Sequence, residues 1–526
     1  MLGVNADSQV STSTPLGLRR ASFHELSERI DRLAWALKKL GVQRGDRVGT
    51  FAWNNQEHFE LYIAVPCVGA VLHTINIRLF TDQLRYIIDH AEDQVIFVDA
   101  SLTAVLAPLA QHLKKVRHYV VIGADRDDGA LPGALSYDEL LAEAPSEPFA
   151  YPQLQEREAA ALCYTSGTTG NPKGVLYSHR SVALHSTAAL ISDALGLCRQ
   201  DKALVVVPMF HANAWGIPHA AALCGADLLL PDRFLQAEAL AKLIEQERPT
   251  IMGCVPTIFA DLLRYADSNE VDLSCLRNAA CGGSAVPKQL MRDFEERHQV
   301  RIYQAWGMTE TSPVATYSRP STEQASSEEH WDQRARQGTP LPWVEIRLVG
   351  EDGMPVPSDG QTSGEIEVRG PWIAAAYYND DSGEERFDDG WLRTGDIATA
   401  DGHGSLQISD RVKDVIKSGG EWISSVALEN ELMAHPDVLE AAVIAKPDER
   451  WGERPLCCVV LREGAHAGAA DLLEHLRPRV ASWWLPDEFA FISQVPKTSV
   501  GKFDKKALRH SLEDGTLAGR VSVRRA

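Results

Sequence analysis

The sequence predicts an α/β protein: a large N-terminal region of layered α/β subdomains plus a β-rich subdomain, followed by a small mobile α+β C-terminal domain. Three observations predict it. The chain has 526 residues, which at about 100 to 200 residues per domain is enough for more than one core. Short apolar runs alternate with helical patterns from Arg47 to Val255, the signature of parallel strands joined by helices. Between Pro340 and Ile408 the pattern changes to residue-by-residue alternation rich in turn residues, which reads as antiparallel sheet.

The first helix is expected over Phe23–Leu40, where Leu26, Ile30, Leu33, Ala34 and Leu37 recur at helical spacing before Gly41 ends the run. The runs Arg47–Ala52, His58–Gly69, Gln94–Val98, His118–Gly123, Lys202–Val207, Asp227–Leu230 and Thr250–Val255 read as strands, as does Ala159–Cys163. In the β-rich part, Gly364–Gly370 alternates in the same sense. Beyond Asp410 comes a compact α+β unit of about a hundred residues, with a helix over Ser425–Ala434 and a strand over Leu439–Ile444. A mobile boundary at Asp410–Lys413 divides the chain into domains 1–409 and 410–526.

Composition excludes several classes of function. Lys plus Arg is 52 and Asp plus Glu is 72, a formal charge of −20. So acidic a chain has no global field for nucleic acid or anionic membrane, and any polyanion must bind in a local basic or backbone-lined pocket. Hydrophobic content of 44% and charged content of 24% are those of an ordinary globular protein, not a disordered one. The longest apolar stretches, such as Ala203–Met209 and Ala226–Pro231, fall far short of the roughly 20 residues of a membrane span. Met1–Arg20 lacks an export-signal apolar region. The nine cysteines show no CxxC spacing, and Cys457 and Cys458 are adjacent. They read as free thiols of a cytoplasmic protein.

The most informative segment is Tyr164–Gly174, a loop of glycines and hydroxyls after the Ala159–Cys163 strand. Backbone N–H groups and side chains of Thr165, Ser166, Gly167, Thr168, Thr169 and Gly170 can converge on phosphate oxygens while Lys173 supplies positive charge. Loops of this composition are usually only solvated turns. A Walker loop is excluded, since Gly174 stands where Ser or Thr must follow the lysine.

This loop resembles that of the adenylate-forming superfamily, which comprises acyl-CoA synthetases, firefly-luciferase-like enzymes and the adenylation domains of peptide synthetases. The resemblance runs from Phe23 to Arg509, with further motifs in the expected order. It implies ATP and Mg²⁺ as cofactors and CoA as co-substrate. Tyr303–Glu310 is similar to the family's YGxTE element, placing Gln304, Ala305, Trp306, Gly307, Met308 and Thr309 in the nucleotide site. Thr309 would meet the α-phosphate, Trp306 the adenine, and Glu310, with Thr165, the metal. In Cys281–Ala285 the small residues Gly282, Gly283 and Ser284 would let backbone approach adenine on one side and the acyl chain on the other. Asp396, in Arg393–Asp396, resembles the aspartate that accepts the ribose hydroxyls, and Arg411 would also face the ribose. Asp410 and Lys413 match the hinge, and Lys502, in Pro496–Lys502, matches the lysine that reaches both carboxylate and α-phosphate. Lys417, Ser418, Gly419, Gly420, Glu421 and Trp422 match the loop that lines the CoA channel after the C-terminal domain rotates. Family members usually carry a few tens of residues before the Phe23 segment, so Met1–Arg20 reads as a late start or a truncation.

The implied activity is acid–thiol ligation through an acyl-adenylate, with Lys502, Thr165, Glu310 and His211 as the catalytic set. His211 stands where amino-acid-activating domains place an aspartate, which disfavours an amino-acid substrate. Phe210–Gly216 and Ser418–Ser425 look most like medium-chain fatty acyl-CoA ligases and 3-methylmercaptopropionate CoA ligases. If the segment after His211 is helical, Trp215 shares its face. The acyl pocket formed by His211, Trp215, Gly282 and Trp306 is then shortened by the indole, favouring short to medium carboxylic acids. An aryl-acid ligase, a luciferase-type oxygenase and a non-catalytic AMP-binding protein are the competing readings. No nucleic-acid or integral-membrane partner is expected, and a homodimer stays open.

Overall fold

A computed structural model describes residues 2–123, 130–165, 171–319, 328–419, 421–497 and 503–523. The helix Phe23–Lys39 begins where Ser22 and Glu25 cap one another reciprocally, and Gly41 just beyond it takes a left-handed φ of 76°. Its apolar stripe packs into the central core, as its spacing demands.

Two large sheets form the body of the N-terminal region. In the first, Leu135–Ser136, His118–Ile122, Asp93–Asp99, Arg47–Phe51, Val71–Thr74 and Ala159–Tyr164 run parallel, and Gly174–Ser178 closes one edge antiparallel. In the second, Ile302–Gly307, Asn278–Gly282, Ile251–Cys254, Lys202–Val205, Asp227–Leu230 and Gln9–Thr14 run parallel, with antiparallel strands at both edges. One continuous core lies between the sheets around the helices Phe23–Lys39, Gln56–Cys67, His179–Ala189 and Ile217–Cys224. The outer faces are covered by Ala237–Glu247, Pro256–Asn269 and Lys288–His298 on one sheet. Thr81–Ala91 and Thr103–Ala110 cover the other. Parallel strands buried on both faces explain their near-continuous apolar sequences.

His58–Gly69 is not a strand. It lies mostly in the helix Gln56–Cys67, capped by the Asn55 side chain on the His58 amide at 3.0 Å. Phe59, Leu61, Tyr62, Ala64 and Val65 are all fully buried, so the helix has no solvent face and shows no 3.6-residue alternation. The polar start of the chain also takes a definite form. Gln9–Thr14 and Gly17–Ser22 make a hairpin that pairs Val10 with Leu228 and so extends the second sheet.

The β-rich part is a five-stranded antiparallel sheet running from Glu345–Val349 to Leu406–Arg411. A fourth sheet, built from Ile416 to Ser522, carries the helices Ser425–Met433, Ala469–Leu476 and Lys505–Glu513. Its strand Val438–Asp448 is longer than the Leu439–Ile444 expected, because all of it pairs with Gly452–Leu461. The cysteines are free thiols. Among the described residues no helix is long and apolar enough to cross a membrane.

Candidate active site

The two strands that flank the Thr165–Lys173 segment pair antiparallel, in a register that places Tyr164 opposite Gly174. The neck of this segment is closed twice: the Thr165 amide donates to the Lys173 carbonyl at 2.9 Å, and the Lys173 amide donates to Thr165 Oγ1 at 3.0 Å. Ser166, Gly167, Thr168, Thr169 and Gly170 lie outside the described residues. Lys173 Nζ sits 4.7 Å above the centre of the Tyr377 ring and 4.0 Å from Asp380.

Beside it is a buried acidic centre. Glu310 is 3% exposed and its Oε1 accepts the Tyr377 hydroxyl at 2.5 Å. Arg386 Nη1 lies 3.5 Å from the same oxygen and donates to the Tyr377 hydroxyl at 2.8 Å. Burial, then the Glu310 charge, raises the Tyr377 phenol above its ordinary range, so it stays an O–H donor. Tyr177 donates to the Thr309 carbonyl at 2.7 Å and fixes the turn that carries Glu310.

In a second cluster, Trp306 Nε1 donates to Asp396 Oδ2 at 2.8 Å, and Asp396 Oδ1 lies 3.5 Å from Arg411 Nε. Asp396 and Arg411 face each other across paired strands, so sheet register brings the three together. Met308 and Thr309 lead from this cluster into the Glu310 turn, whose backbone the Thr311 hydroxyl secures by accepting from the Met308 amide at 2.9 Å. Gly282 and Gly307 are dictated by space: a Cβ would stand 2.6 Å from the Ala305 carbonyl oxygen in the first case and 1.8 Å from that of Pro313 in the second. Gly283 adds a left-handed φ of 86° just before Ser284. Gln304 behaves differently from the others. Its buried side chain accepts from the Val286 amide at 2.7 Å and donates to the Ala335 carbonyl at 3.3 Å, so it braces the 283–286 loop.

The segment after His211 is not a right-handed helix. Ala212, Asn213, Ala214 and Trp215 have φ of 43°, 51°, 49° and 55°, a left-handed turn that L-residues adopt only under strong tertiary constraint. Trp215 nevertheless lines a narrow apolar slot with a free volume of only about 30 Å³, together with His185, Leu195, Ala280, Ala305 and Tyr317. His211 lies outside the described lining and uses its backbone to close the turn. Gly282 opens towards the Trp215 ring. Away from Gly282, the Tyr317 hydroxyl donates to Asn278, and the Asn278 amide group donates to the Leu195 carbonyl.

At the Asp410–Lys413 segment, Asp410 Oδ2 accepts from the Ser425 amide at 2.7 Å. Burial raises the Asp410 carboxyl, and burial together with neighbouring Arg411 lowers Lys413. Lys417 Nζ reaches Glu351 at 3.3 Å. Ser418 accepts from Arg454, and Gly419 lies so close to the Trp451 ring that a Cβ would meet it at 2.8 Å. Gly420 and Lys502 fall outside the described residues, as do the side chains of Glu421 and Trp422.

Sequence reasoning missed Tyr177, Tyr377 and Arg386. Their partners lie far off along the chain, 67 residues away for Tyr377 and Glu310, and only the Ala375–Tyr378 run of small and aromatic residues hints at a packed site.

The AMP-binding enzyme family profile matches residues 8–378, and the AMP-binding enzyme C-terminal domain profile matches 427–502. The chain is 43% identical to a 3-methylmercaptopropionyl-CoA ligase of Ruegeria lacuscaerulensis, covering 96% of this chain and 94% of that protein. It is 40% identical to a medium-chain-fatty-acid–CoA ligase of Ectopseudomonas oleovorans, over 98% and 94%. With a long-chain-fatty-acid–CoA ligase of Thermus thermophilus it shares 45% identity, over 94% and 91%. The crystal structure of an anthranilate CoA ligase in complex with anthranoyl-AMP superposes with a TM-score of 0.88 at 27% identity, covering 97% of this chain and 95% of that one.

Proposed function

We propose, from the premise that this chain belongs to the AMP-binding enzyme family and is an acid–thiol ligase using ATP and CoA, that its substrate is an aliphatic carboxylic acid of short to medium length. The observation that supports this reading is one line of residues. The narrow apolar slot that Trp215 lines includes Ala305, the residue before Trp306 of the Trp306–Asp396–Arg411 cluster, and Gly282 approaches the Trp215 ring beside it. An acid seated in that slot presents its carboxylate to the α-phosphate end of a nucleotide held by the cluster.

In the first half-reaction a carboxylate oxygen forms a bond to the α-phosphorus, and the bond from that phosphorus to the bridging oxygen breaks. Pyrophosphate leaves with the electron pair. Such transfers need positioning and charge neutralisation more than covalent help. Trp306 and Asp396 are assigned the nucleoside, Thr165 and Lys173 the departing phosphates, and Lys502 the contact that bridges carboxylate and α-phosphate. In the second, the CoA sulfur bonds to the acyl carbon as the carbon–oxygen bond to AMP breaks, and the thiol proton passes to solvent. The assigned pivot at Asp410–Lys413 exchanges Lys502 for the Lys417–Trp422 loop between the two steps.

The donor set at Glu310 fits Mg²⁺, a hard cation that takes oxygen ligands. Among the described residues no group of three or more His, Cys, Asp or Glu could hold a metal. Glu310 and Thr165 are the residues assigned to Mg²⁺, and it would supply neutralisation of the leaving pyrophosphate.

The test is ATP- and CoA-dependent AMP release against propionate, 3-methylmercaptopropionate, butyrate, octanoate, laurate and benzoate. A maximum among the aliphatic acids up to octanoate is expected. A maximum at laurate, or at benzoate, refutes the assignment of the acid.

A further inference from the structure

We propose that Arg386 is a positioning residue for adenylation: its guanidinium holds the Glu310 carboxylate and the strand carrying Asp396 in one frame. The proposal rests on the reading of Glu310 as the carboxylate that faces the metal.

Arg386 closes the short 3-10 helix Asp381–Arg386 and is 31% exposed at its side chain, whereas Glu310 is only 4% exposed. Its described contacts run inward to two separate parts of the site. Nε donates to the Arg393 carbonyl at 3.1 Å and Nη2 to the Thr394 carbonyl at 2.7 Å. These carbonyls belong to the strand Trp391–Ala400, two and three residues before Asp396. Nη1 donates to the Tyr377 hydroxyl at 2.8 Å and lies 3.5 Å from Glu310 Oε1. All three guanidinium nitrogens are therefore engaged, a use of the planar five-donor fork that lysine cannot reproduce.

Two consequences follow from this geometry. The Tyr377 and Arg386 contacts both fall on Oε1, which fixes the carboxylate plane while leaving Oε2 outside the clamp. The carboxylate and the ribose-side aspartate also become parts of one hydrogen-bonded assembly. Glu310 lies on the turn after Ile302–Gly307 and Asp396 in a different sheet, and Arg386 is one short link between those two sheets at the site. Partners that orient a metal ligand without touching the metal typically change metal affinity or activity about 10- to 100-fold when removed.

The test uses the full-length protein with Arg386→Met, Arg386→Lys and Glu310→Gln. The Mg²⁺ dependence of binding of a non-reactive ATP analogue is measured by calorimetry without acid or CoA. The two half-reactions are followed separately, as acid-dependent ATP–pyrophosphate exchange and as thioester formation from pre-made acyl-adenylate. Arg386→Met is expected to raise the half-saturating Mg²⁺ concentration about tenfold or more, to lower exchange about 10- to 100-fold, and to leave thioester formation within about twofold. Arg386→Lys keeps the charge without the fork and is expected to fall between Met and wild type, and it carries the test if the Met variant is unstable. An unchanged Mg²⁺ dependence in both Arg386 variants, while Glu310→Gln abolishes it, overturns the role of Arg386 alone. If Glu310→Gln responds to Mg²⁺ like wild type, the reading of Glu310 fails and takes this proposal with it.

Discussion

Replacing Trp215 by alanine should lengthen the acyl slot and shift the preferred acid upward. The ring lines the slot next to the opening made by Gly282 and is only partly buried. A large aromatic buries about 150–250 Å², and removing one from a core costs about 3–5 kcal/mol. The lower end of that range applies to a half-buried ring in a chain of 526 residues. Each substrate methylene newly taken from water contributes about 0.8 kcal/mol. Three or four more methylenes admitted into the vacated space give about 2.5–3 kcal/mol, or about a hundredfold in kcat/KM at about 1.4 kcal/mol per tenfold. The assay is kcat/KM for octanoate and laurate, from AMP release, in wild type and Trp215→Ala. The laurate-to-octanoate ratio is expected to rise about a hundredfold. A folded variant whose ratio stays within about threefold of wild type refutes the reasoning, because Trp215 would then not bound the chain.

Gly282→Ala drives a Cβ to 2.6 Å from the Ala305 carbonyl oxygen, so strands that form the site must separate; the melting temperature should fall, by overpacking that costs about 1–3 kcal/mol, and exchange by the folded variant should fall at least about tenfold. Tyr377→Phe removes the hydroxyl that donates to buried Glu310. Hydrogen bonds to charged groups contribute about 1.5–3 kcal/mol, so adenylation should slow about 10- to 100-fold, and equal slowing of thioester formation from acyl-adenylate would contradict the assignment. Burial lowers His58 to about 4, His185 to about 3 and His219 to about 4. The unfolded chain then binds up to three protons that the folded chain refuses below about pH 6.5, so stability is full above that pH and is lost on acidification toward pH 4. The slope starts near half its limit at about pH 6.5 and approaches about 4 kcal/mol per pH unit near pH 5, and a thermal midpoint that stays flat from pH 7 to pH 5 would exclude it.

What the sequence disclosed about fold and site divides along physical lines. Phe23–Lys39 was legible because one face meets the core and the other meets water, leaving a 3.6-residue signal. Gln56–Cys67 was misread because burial on every side erases that signal. The left-handed turn at Ala212–Trp215 was invisible because no local preference encodes four such residues in a row; the packing of Trp215 and the close approach of Gly216 to the His185 ring impose it. In the site, the Tyr164–Gly174 segment was readable as a loop from its glycines and hydroxyls, but the hairpin that closes its neck was not, because Gly174–Ser178 carries no alternating strand signal of its own. The partners of Glu310 were not readable either, since Tyr377 and Arg386 reach it only through the meeting of two sheets. Asp396 and Arg411 lie between these cases, because their strands pair through a short connection.

In the proposed reaction the acid is activated before the thiol takes part. Acid-dependent exchange of labelled pyrophosphate into ATP, measured with no CoA present, tests it most directly. Exchange at a rate comparable with AMP release is predicted. AMP release with CoA but no exchange without it would contradict a free-standing acyl-adenylate step, and with it the division of labour between Lys502 and the Lys417–Trp422 loop.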